Sequence, residues 1–255
     1  MRVLIKRVVD GKITLQETSK IAIVTINRPS ARNAMTTQMW TELTDIAGEV
    51  RANRKIKVMV LRGMPGQFTA GSDIKEFSEM SVEEANQEFE LMEEAISTVE
   101  SLQIPVIGSL DGPALGAGFV LSLACDIRIG SHRTRMGIPV GRLGITLGPA
   151  FVRRIVRLIG PSRTKELVFS GRIYDAATSF QLGLLNQMVE THHLDHSALE
   201  LADTIMGQSR AAVQAVKRSV DLSYRTTETA WNYVDPVDFP EGCLAFVEKR
   251  SPRFD

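Results

Sequence analysis

Apolar, β-branched runs alternate with helical periods along the first half of the chain. Residues 20–27 and 57–62 form two such runs, and each is followed by a turn rich in proline or glycine. This pattern predicts two buried strands. Between them, four apolar residues recur at the spacing of one helix face, which predicts a helix. These residues are Met39, Leu43, Ile46 and Val50.

The next segments continue the alternation. Ser81 and Glu84 have the spacing of a capping box and predict the start of a second helix. Its apolar stripe consists of Ala85, Phe89, Met92, Ile96 and Val99. Residues 104–110 then predict a strand, a helix of small residues begins at about Ala117, and residues 126–130 predict another strand.

From Leu147 onward the pattern is nearly all helical. The predicted helices cover residues 149–159, 161–169, 176–182, 198–206, 209–224 and 238–249. The last of these has its own capping box, from Asp238 and Glu241. Because no low-complexity linker divides the two halves, we expect one functional unit of α/β class with a helical tail.

Composition excludes several classes of partner. The chain has 255 residues, 44% of them apolar, and 30 basic residues balance 30 acidic ones. It can bury one sizeable core, and no bulk field attracts nucleic acid or an anionic membrane. Cys125 and Cys243 lie far apart without metal-ligand spacing, and no apolar run reaches membrane-spanning length. We therefore expect a cytosolic protein without a metal site, in which any anion site is local.

Two glycine-containing turns are the candidates for chemistry. In the first, residues 68–75, Gly71 allows close approach of a ligand, and the Ser72 amide could point into a cleft. The alternative is an ordinary turn with an Asx cap. In the second, residues 112–126, a helix opens at Gly116 and Ala117, so its free amides can stabilise negative charge. There the alternative is close helix–sheet packing.

Five segments in order along the chain resemble the crotonase (enoyl-CoA hydratase/isomerase) superfamily. They are residues 26–35, 70–75, 112–126, 158–161 and 245–250. The resemblance implies an α/β, crotonase-like spiral of ββα turns over residues 1–195, followed by a C-terminal helical trimerisation region over residues 196–255. It also implies a homotrimer or a dimer of trimers.

The resemblance further implies a site for an acyl-CoA substrate, with coenzyme A as part of the thioester and no separate cofactor. The backbone amides of Ser72 and Ala117 would hold the thioester oxygen. The positions that match coenzyme A contacts are Ala31, Arg32, Ala70, Asp73, Ile74, Lys75, Phe246 and Lys249, the last two reaching a neighbouring subunit. Arg32, Lys75 and Lys249 are candidate phosphate contacts; each could equally be a solvated surface cation.

The chain departs from the family at two positions. Hydratases of this family carry glutamates where this sequence has Val120 and Val140. Adding water to a conjugated double bond needs a base for the water and an acid for the α-carbon, and valine supplies neither. The sequence therefore argues against simple enoyl-CoA hydration.

Other residues could replace the missing carboxylates. Arg142 could bind a substrate carboxylate or form a structural ion pair. Glu76 and Glu79 could enter the cleft or cap a helix, and Tyr233 could supply an acid or pack at a subunit contact. The histidines show no nucleophile or metal pattern; they are His132, His192, His193 and His196.

Two functions remain open on the sequence. One is an enzyme that stabilises a thioester enolate, for hydration, isomerisation, decarboxylation or carbon–carbon cleavage. The other is a non-catalytic acyl-CoA binding protein that retains the fold. The two candidate oxyanion turns favour the enzyme, whereas the paired valines favour the binding protein.

Overall fold

The computed structural model describes residues 4–9, 12–18, 20–223, 241, 248, 250 and 253. The strands are β1 (Leu4–Val9), β2 (Ile13–Glu17), β3 (Ile21–Ile26), β4 (Val58–Gly63), β5 (Val106–Leu110), β6 (Pro113–Leu115), β7 (Ile127–Ser131), β8 (Arg135–Gly137), β9 (Ile173–Asp175) and β10 (Gln187–Val189). The α-helices are α1 (Thr37–Ala52), α2 (Ile74–Phe77), α3 (Val82–Glu100), α4 (Ala117–Leu123), α5 (Pro149–Ser170), α6 (Ala176–Gln181), α7 (Leu194–Met206) and α8 (Arg210–Leu222). Short 3₁₀ turns cover Pro29–Ala31, Val140–Leu143 and Thr191–His193.

Two sheets organise the chain. The large sheet has the strand order β1-β2-β3-β4-β5-β7-β10, and the small one has the order β6-β8-β9. Pairing is antiparallel from β1 to β3 and parallel from β3 to β10. Helices must therefore connect the parallel strands, and the chain advances by repeated strand–helix units.

The large sheet is covered on both faces. One face packs with α1 and α3 into the main core, which includes the fully buried Trp40 and Met39. On the other face, Ile23, Val60 and Ile107 belong to a second apolar cluster together with residues of α7. Burial on both faces explains why the parallel strands read as continuous apolar runs in the sequence.

Most of the predicted elements are confirmed. The capping box of α3 forms in both directions: the Ser81 amide donates to Glu84 Oε2 at 2.7 Å, and the Glu84 amide donates to Ser81 Oγ at 3.2 Å. The two helices predicted around residue 160 are joined as α5, with a break at Gly160, whose φ is 74°. No helix in the described part of the chain has the length and apolarity needed to cross a membrane.

The second half is mostly helical, as predicted, but two short strands interrupt it. Strands β9 and β10 lie within it, pairing with β8 and β7 and ending the two sheets. Each has only three residues, so its sequence cannot show a period-two pattern. The predicted helix at 238–249 and its capping box lie outside the described residues, apart from single positions.

A buried arginine joins α3 to α5. The Arg154 side chain is 1% exposed, and its guanidinium contacts Glu93 at 2.7 Å and Glu100 at 2.8 Å. It also donates to Ser97 Oγ at 2.9 Å. Burial opposes ionisation of Glu93, but the hydrogen bonds from Arg154 and Ser97 outweigh it and lower the pKa of this carboxyl. The two helices are therefore held by charge-assisted bonds rather than by apolar contact alone.

We expect Arg154→Met to lower the free energy of unfolding by about 3 kcal/mol, because it leaves partly buried carboxylates unpaired. Urea denaturation monitored by circular dichroism measures this loss. The control is Arg172→Met, which removes an ion pair with Glu166 whose side chains are 58% and 51% exposed, and should lose less than about 1 kcal/mol.

The loss should depend on pH. The lowered pKa of Glu93 means that its contribution is complete above the ordinary value of 4.5 and disappears as the pH falls through the folded-state pKa. The difference between wild type and Arg154→Met should therefore shrink in acid. Equal losses for the two variants at neutral pH would contradict the role assigned to Arg154.

Candidate functional site

The two glycine turns meet in the structure. Thr69 and Ala114 form an isolated parallel bridge, in which the Thr69 amide donates to the Pro113 carbonyl at 3.0 Å. Two residues later, Gly71 has φ +99°, and a Cβ at this position would lie 2.7 Å from the Leu115 oxygen and 3.2 Å from the Ala117 nitrogen. Only glycine fits this contact without strain.

The hydrogen bonds around the turns leave two amides facing the same space. The bridge between Met35 and Ser72 uses the Met35 amide, bonded to the Gly71 oxygen, and the Asp73 amide, bonded to the Met35 oxygen, both at 2.8 Å. The amide of Ser72 takes no part in it. Ala117 is the first residue of α4. Within the described chain, neither the Ser72 nor the Ala117 amide donates to a protein acceptor.

Ser72 and Ala117 both line a cavity of about 220 Å³. Its remaining wall is apolar side chains and backbone, and no described side chain of the lining is ionisable. The apolar side chains include Phe77, Phe89, Met92, Ile138, Leu143, Ile145, Leu147 and Phe151. Val120 and Val140 also line this cavity, and they are 0% and 9% exposed. The amides of Ser72 and Ala117 and the side chains of Val120 and Val140 therefore belong to one cavity.

A residue that the sequence did not single out makes a hydrogen bond to the side chain of Ser72. The indole Nε1 of fully buried Trp40 donates to Ser72 Oγ at 3.2 Å. Trp40 lies in the first turn of α1, so the main core fixes the position of the Ser72 backbone. The hydroxyl is engaged with Trp40, and the amide remains for the cavity.

Asp73 anchors the first turn. Its carboxylate accepts a 2.6 Å bond from Arg28 and a 3.0 Å bond from the Lys75 amide. The Arg28 bond holds the pKa of Asp73 below its ordinary value despite partial burial. The Asx cap considered from the sequence is therefore present, and it coexists with a Ser72 amide that has no acceptor in the described chain. Ile74 lines the cavity and Lys75 is exposed.

Asn33 joins two of the segments matched to coenzyme A. It is 0% exposed, with φ 55°, and its side chain bonds the Arg28 amide at 2.8 Å and the Gln67 oxygen at 2.8 Å. This brings Arg32 beside Ala70, whose amide donates to the Arg32 oxygen at 3.1 Å. Asparagine tolerates left-handed backbone, which is the one signal that could have marked it in the sequence.

In the first family segment, residues 26–35, the side chain of Arg32 is accessible to a ligand. Arg32 is exposed, with φ 53°, and the neighbouring Ala31 is partly buried. The structure thus brings together six of the eight positions matched to coenzyme A. Phe246 and Lys249 lie outside the described residues, as does Tyr233.

The carboxylates proposed as replacements do not line the cavity. Glu76 accepts from the Thr37 amide at 3.0 Å and so caps α1 instead. Glu79 is exposed. Glu88, on α3 beside the cavity residue Phe89, is 3% exposed, and burial raises its pKa, but it is also absent from the lining. The side chain of Arg142 lies outside the described part of the structure.

The histidines make local contacts. His132 lies 3.2 Å from Glu190, and His196 lies 3.2 Å from Glu200. The rings of His192 and His193 contact each other at 4.0 Å. Among the described residues, no group of three or more His, Cys, Asp or Glu side chains could hold a metal ion.

Comparison with known proteins shows the family to which the chain belongs. A profile of the family described as "Enoyl-CoA hydratase/isomerase" matches residues 16–255. The short-chain-enoyl-CoA hydratase of Clostridium acetobutylicum is 33% identical over 251 residues, covering 94% of this chain and 96% of that protein. The mitochondrial methylglutaconyl-CoA hydratase of Homo sapiens is 30% identical, covering 94% of this chain and 75% of that one.

Solved structures show the same architecture. An enoyl-CoA hydratase/carnithine racemase from Magnetospirillum magneticum superposes with a TM-score of 0.90 at 30% identity, covering 96% of this chain and 95% of that one. An enoyl-CoA hydratase from Bacillus anthracis gives 0.88 at 29% identity, covering 95% and 98%. The crotonase fold predicted from the sequence is confirmed, and the chain belongs to the enoyl-CoA hydratase/isomerase family.

Proposed function

We propose that this protein acts on an acyl-CoA thioester by holding its carbonyl oxygen between the amides of Ser72 and Ala117. The observation that carries this proposal is the presence of two amides, without acceptors in the described chain, at one apolar cavity. Preorganised donors aimed at a developing enolate oxygen contribute on the order of 3 kcal/mol each. The apolar wall excludes water, which strengthens both bonds.

Coenzyme A enters the cavity past the first two family segments, residues 26–35 and 70–75. Ala31, Arg32 and Ala70 lie together there, and Ile74 begins the cavity wall. Exposed Arg32 and Lys75 are available to phosphates, and by resemblance Phe246 and Lys249 approach the nucleotide of a neighbouring subunit. The acyl group then occupies the apolar cavity.

The reaction is one that requires little from side-chain acids and bases. Hydration needs both, and the described cavity wall offers neither. Cleavage of a carbon–carbon bond β to the thioester carbonyl places the electron pair directly on the enolate, where the two amides stabilise it. Loss of CO₂ is the simplest such step, because an apolar wall disfavours the substrate carboxylate, which departs as neutral CO₂. The electron pair of the broken bond forms the enolate, which then takes a proton from solvent.

The second candidate is a non-catalytic acyl-CoA binding protein with the crotonase fold. The same valines, Val120 and Val140, favour it, because nothing in the described cavity wall can move a proton. Incubation with a panel of CoA thioesters, followed by mass spectrometry, separates the two candidates. Turnover of any thioester excludes a purely binding role, whereas binding of several without turnover of any contradicts the enzyme.

The proposed assembly is a homotrimer or a dimer of trimers in the cytosol. The assembly follows from the resemblance, since the nucleotide site includes Phe246 and Lys249 of a neighbouring subunit. A reducing compartment such as the cytosol is supported by Cys125, a free, buried thiol whose pKa burial raises to about 12. The human relative is named as mitochondrial, so its compartment is not transferred.

We expect mass photometry to give three or six times the 28.2 kDa mass of the chain. Several large apolar side chains are exposed in the single chain, including Phe169 at 81% and Phe180 at 47%, and burying such surface favours association. A stable monomer at micromolar concentration would contradict the proposed assembly.

Replacing Arg32, Lys75 and Lys249 together with alanine should weaken binding of acetyl-CoA. Each lost charge-assisted phosphate contact removes roughly 1 kcal/mol or more. Isothermal calorimetry measures the change, and a matched triple variant at exposed cations away from the cavity, Lys55, Arg163 and Lys165, should bind like wild type. Equal affinities of the two triple variants would show that the nucleotide lies elsewhere.

Crotonyl-CoA should bind but should be hydrated very slowly or not at all. Ser72 and Ala117 can polarise its carbonyl, yet a positioned acid or base ordinarily contributes on the order of a hundredfold to ten-thousandfold, and that contribution is missing. The absorbance of the conjugated enoyl group reports hydration. A turnover of about 1 per second or faster, ordinary for enzymes, would refute this expectation.

Glutamate at both valine positions tests their assignment. A folded Val120→Glu, Val140→Glu double variant that gains hydratase activity supports the assignment, and circular dichroism verifies folding. The control is Leu143→Glu, at a cavity residue that is 54% exposed, and this variant should gain no activity. Val58→Glu would not serve as a control, because Val58 is buried in the sheet.

A further inference from the structure

Helix α3 shows how far the apolar cavity extends from the two amides. It contributes Met92 and Phe89, which lie about one helical turn apart. Met92 marks the end beside the first amide, because Ser72 Oγ donates to its Sδ at 3.9 Å. The residues one turn further in each direction, Ala85 and Ile96, are absent from the lining. Along α3 the cavity is therefore about 5 Å long, the pitch of one turn.

The volume of the cavity is large for this length. At roughly 30 Å³ for each water-sized group, 220 Å³ holds about seven carbon atoms. The same number of carbons in an extended chain is longer than one helical turn, so they fit only if the chain is folded or closed into a ring. The cavity therefore suits a compact acyl group rather than a straight alkyl chain.

Aromatic rings bound the end of the cavity away from Ser72. Phe77 of α2 and Phe89 of α3 have ring centroids 5.3 Å apart and planes inclined at 47°. Phe151 of α5 is a third ring of the same lining. Aromatic rings attract one another in tilted and offset arrangements, and a methionine sulphur contacts ring edges favourably. An aromatic ring in this cavity thus gains contacts that an alkyl group of equal size does not.

The side chains of this wall are accessible to an occupant. Phe77 and Phe89 are only partly buried and pack against the main core from its edge. Leu143, another residue of the lining, is 54% exposed. Apolar surface grouped around a cavity marks a binding surface, and an occupant that removes it from water is stabilised in proportion to the area covered.

We propose that the acyl group of the ligand has a compact, uncharged, aromatic end, as in the arylacetyl class, of which phenylacetyl is the simplest member. This inference rests on the proposed function, because it places the thioester oxygen between the amides of Ser72 and Ala117. The carbons beyond the carbonyl then reach from Met92 to the pair of Phe77 and Phe89. Phe89 determines the specificity, since its ring both lines the cavity and contacts Phe77.

Isothermal calorimetry with phenylacetyl-CoA and octanoyl-CoA tests the proposal. The two acyl groups contain the same number of carbons, and octanoyl has the larger apolar surface, so hydrophobic transfer alone favours octanoyl. Acetyl-CoA is the third ligand and reports binding of the coenzyme A thioester itself.

The decisive variant is Phe89→Leu, which removes the ring but keeps an apolar side chain. The matched control is Phe169→Leu, because Phe169 is 81% exposed and lies outside the lining. Thermal unfolding of both variants verifies that they fold. The measured quantity is the ratio of the two dissociation constants within each protein, and wild type alone already tests the preference.

We expect wild type and Phe169→Leu to bind phenylacetyl-CoA about tenfold more tightly than octanoyl-CoA, the upper value for ring contacts beyond their area. In Phe89→Leu the ratio should fall to about threefold or less, because fewer ring contacts remain. Equal or tighter binding of octanoyl-CoA by wild type, or an unchanged ratio in Phe89→Leu, would overturn the inference, and binding of acetyl-CoA would then leave the proposed function standing. If wild type binds none of the three thioesters, the proposed function fails and the inference fails with it.

Discussion

The close approach of Gly71 to the backbone at Leu115 and Ala117 is the contact on which the site depends. A side chain at residue 71 would meet a carbonyl oxygen at 2.7 Å, and the φ of +99° strains any other residue as well. This contact brings the Ser72 amide, which follows β4 in the chain, close to the Ala117 amide at the start of α4. The parallel sheet leads into it, because β4 and β5 are paired in parallel and the segments that follow them are joined by the Thr69–Ala114 bridge. Donors placed in this way need no reorganisation during a reaction, which is the source of their effect.

The rest of the first turn is fixed by side chains that never reach the cavity. Arg28 holds Asp73, Asn33 holds the segment before it, and the indole of Trp40 holds the Ser72 hydroxyl. On the far side, Arg154 joins α3 to α5 by pairing with Glu93, which directly follows the cavity residue Met92. All of these are buried or partly buried polar bonds, which define geometry more narrowly than apolar contact does. The cavity can therefore remain apolar while its shape is still specified.

The sequence predicts what depends on local pattern and fails where partners are distant. The helices, the α3 capping box and the two glycine turns follow from period, caps and backbone freedom. Val120 and Val140, which the resemblance singled out, line the same cavity as the amides of Ser72 and Ala117. Strands β9 and β10 could not be predicted, since three residues carry no period and their pairing is non-local. Asn33, Trp40 and Arg154 were missed because their roles lie in partners 30 or more residues away.

In the proposed function, the apolar cavity polarises a thioester carbonyl without transferring a proton, whereas hydration requires both. Polarising a thioester carbonyl needs only backbone amides, and an apolar wall makes those amides more effective by lowering the local dielectric. Transferring a proton needs an ionisable side chain, and the same wall disfavours its charged form. At Val120, which is 0% exposed and surrounded by core residues, a single carboxylate would have a raised pKa and would remain largely neutral. A base at this position would therefore require further polar groups to hold its charge. The packing that would strengthen bonds from the Ser72 and Ala117 amides in the proposed function is the same packing that makes a carboxylate beside them unfavourable, so the valines and the apolar lining are mutually consistent.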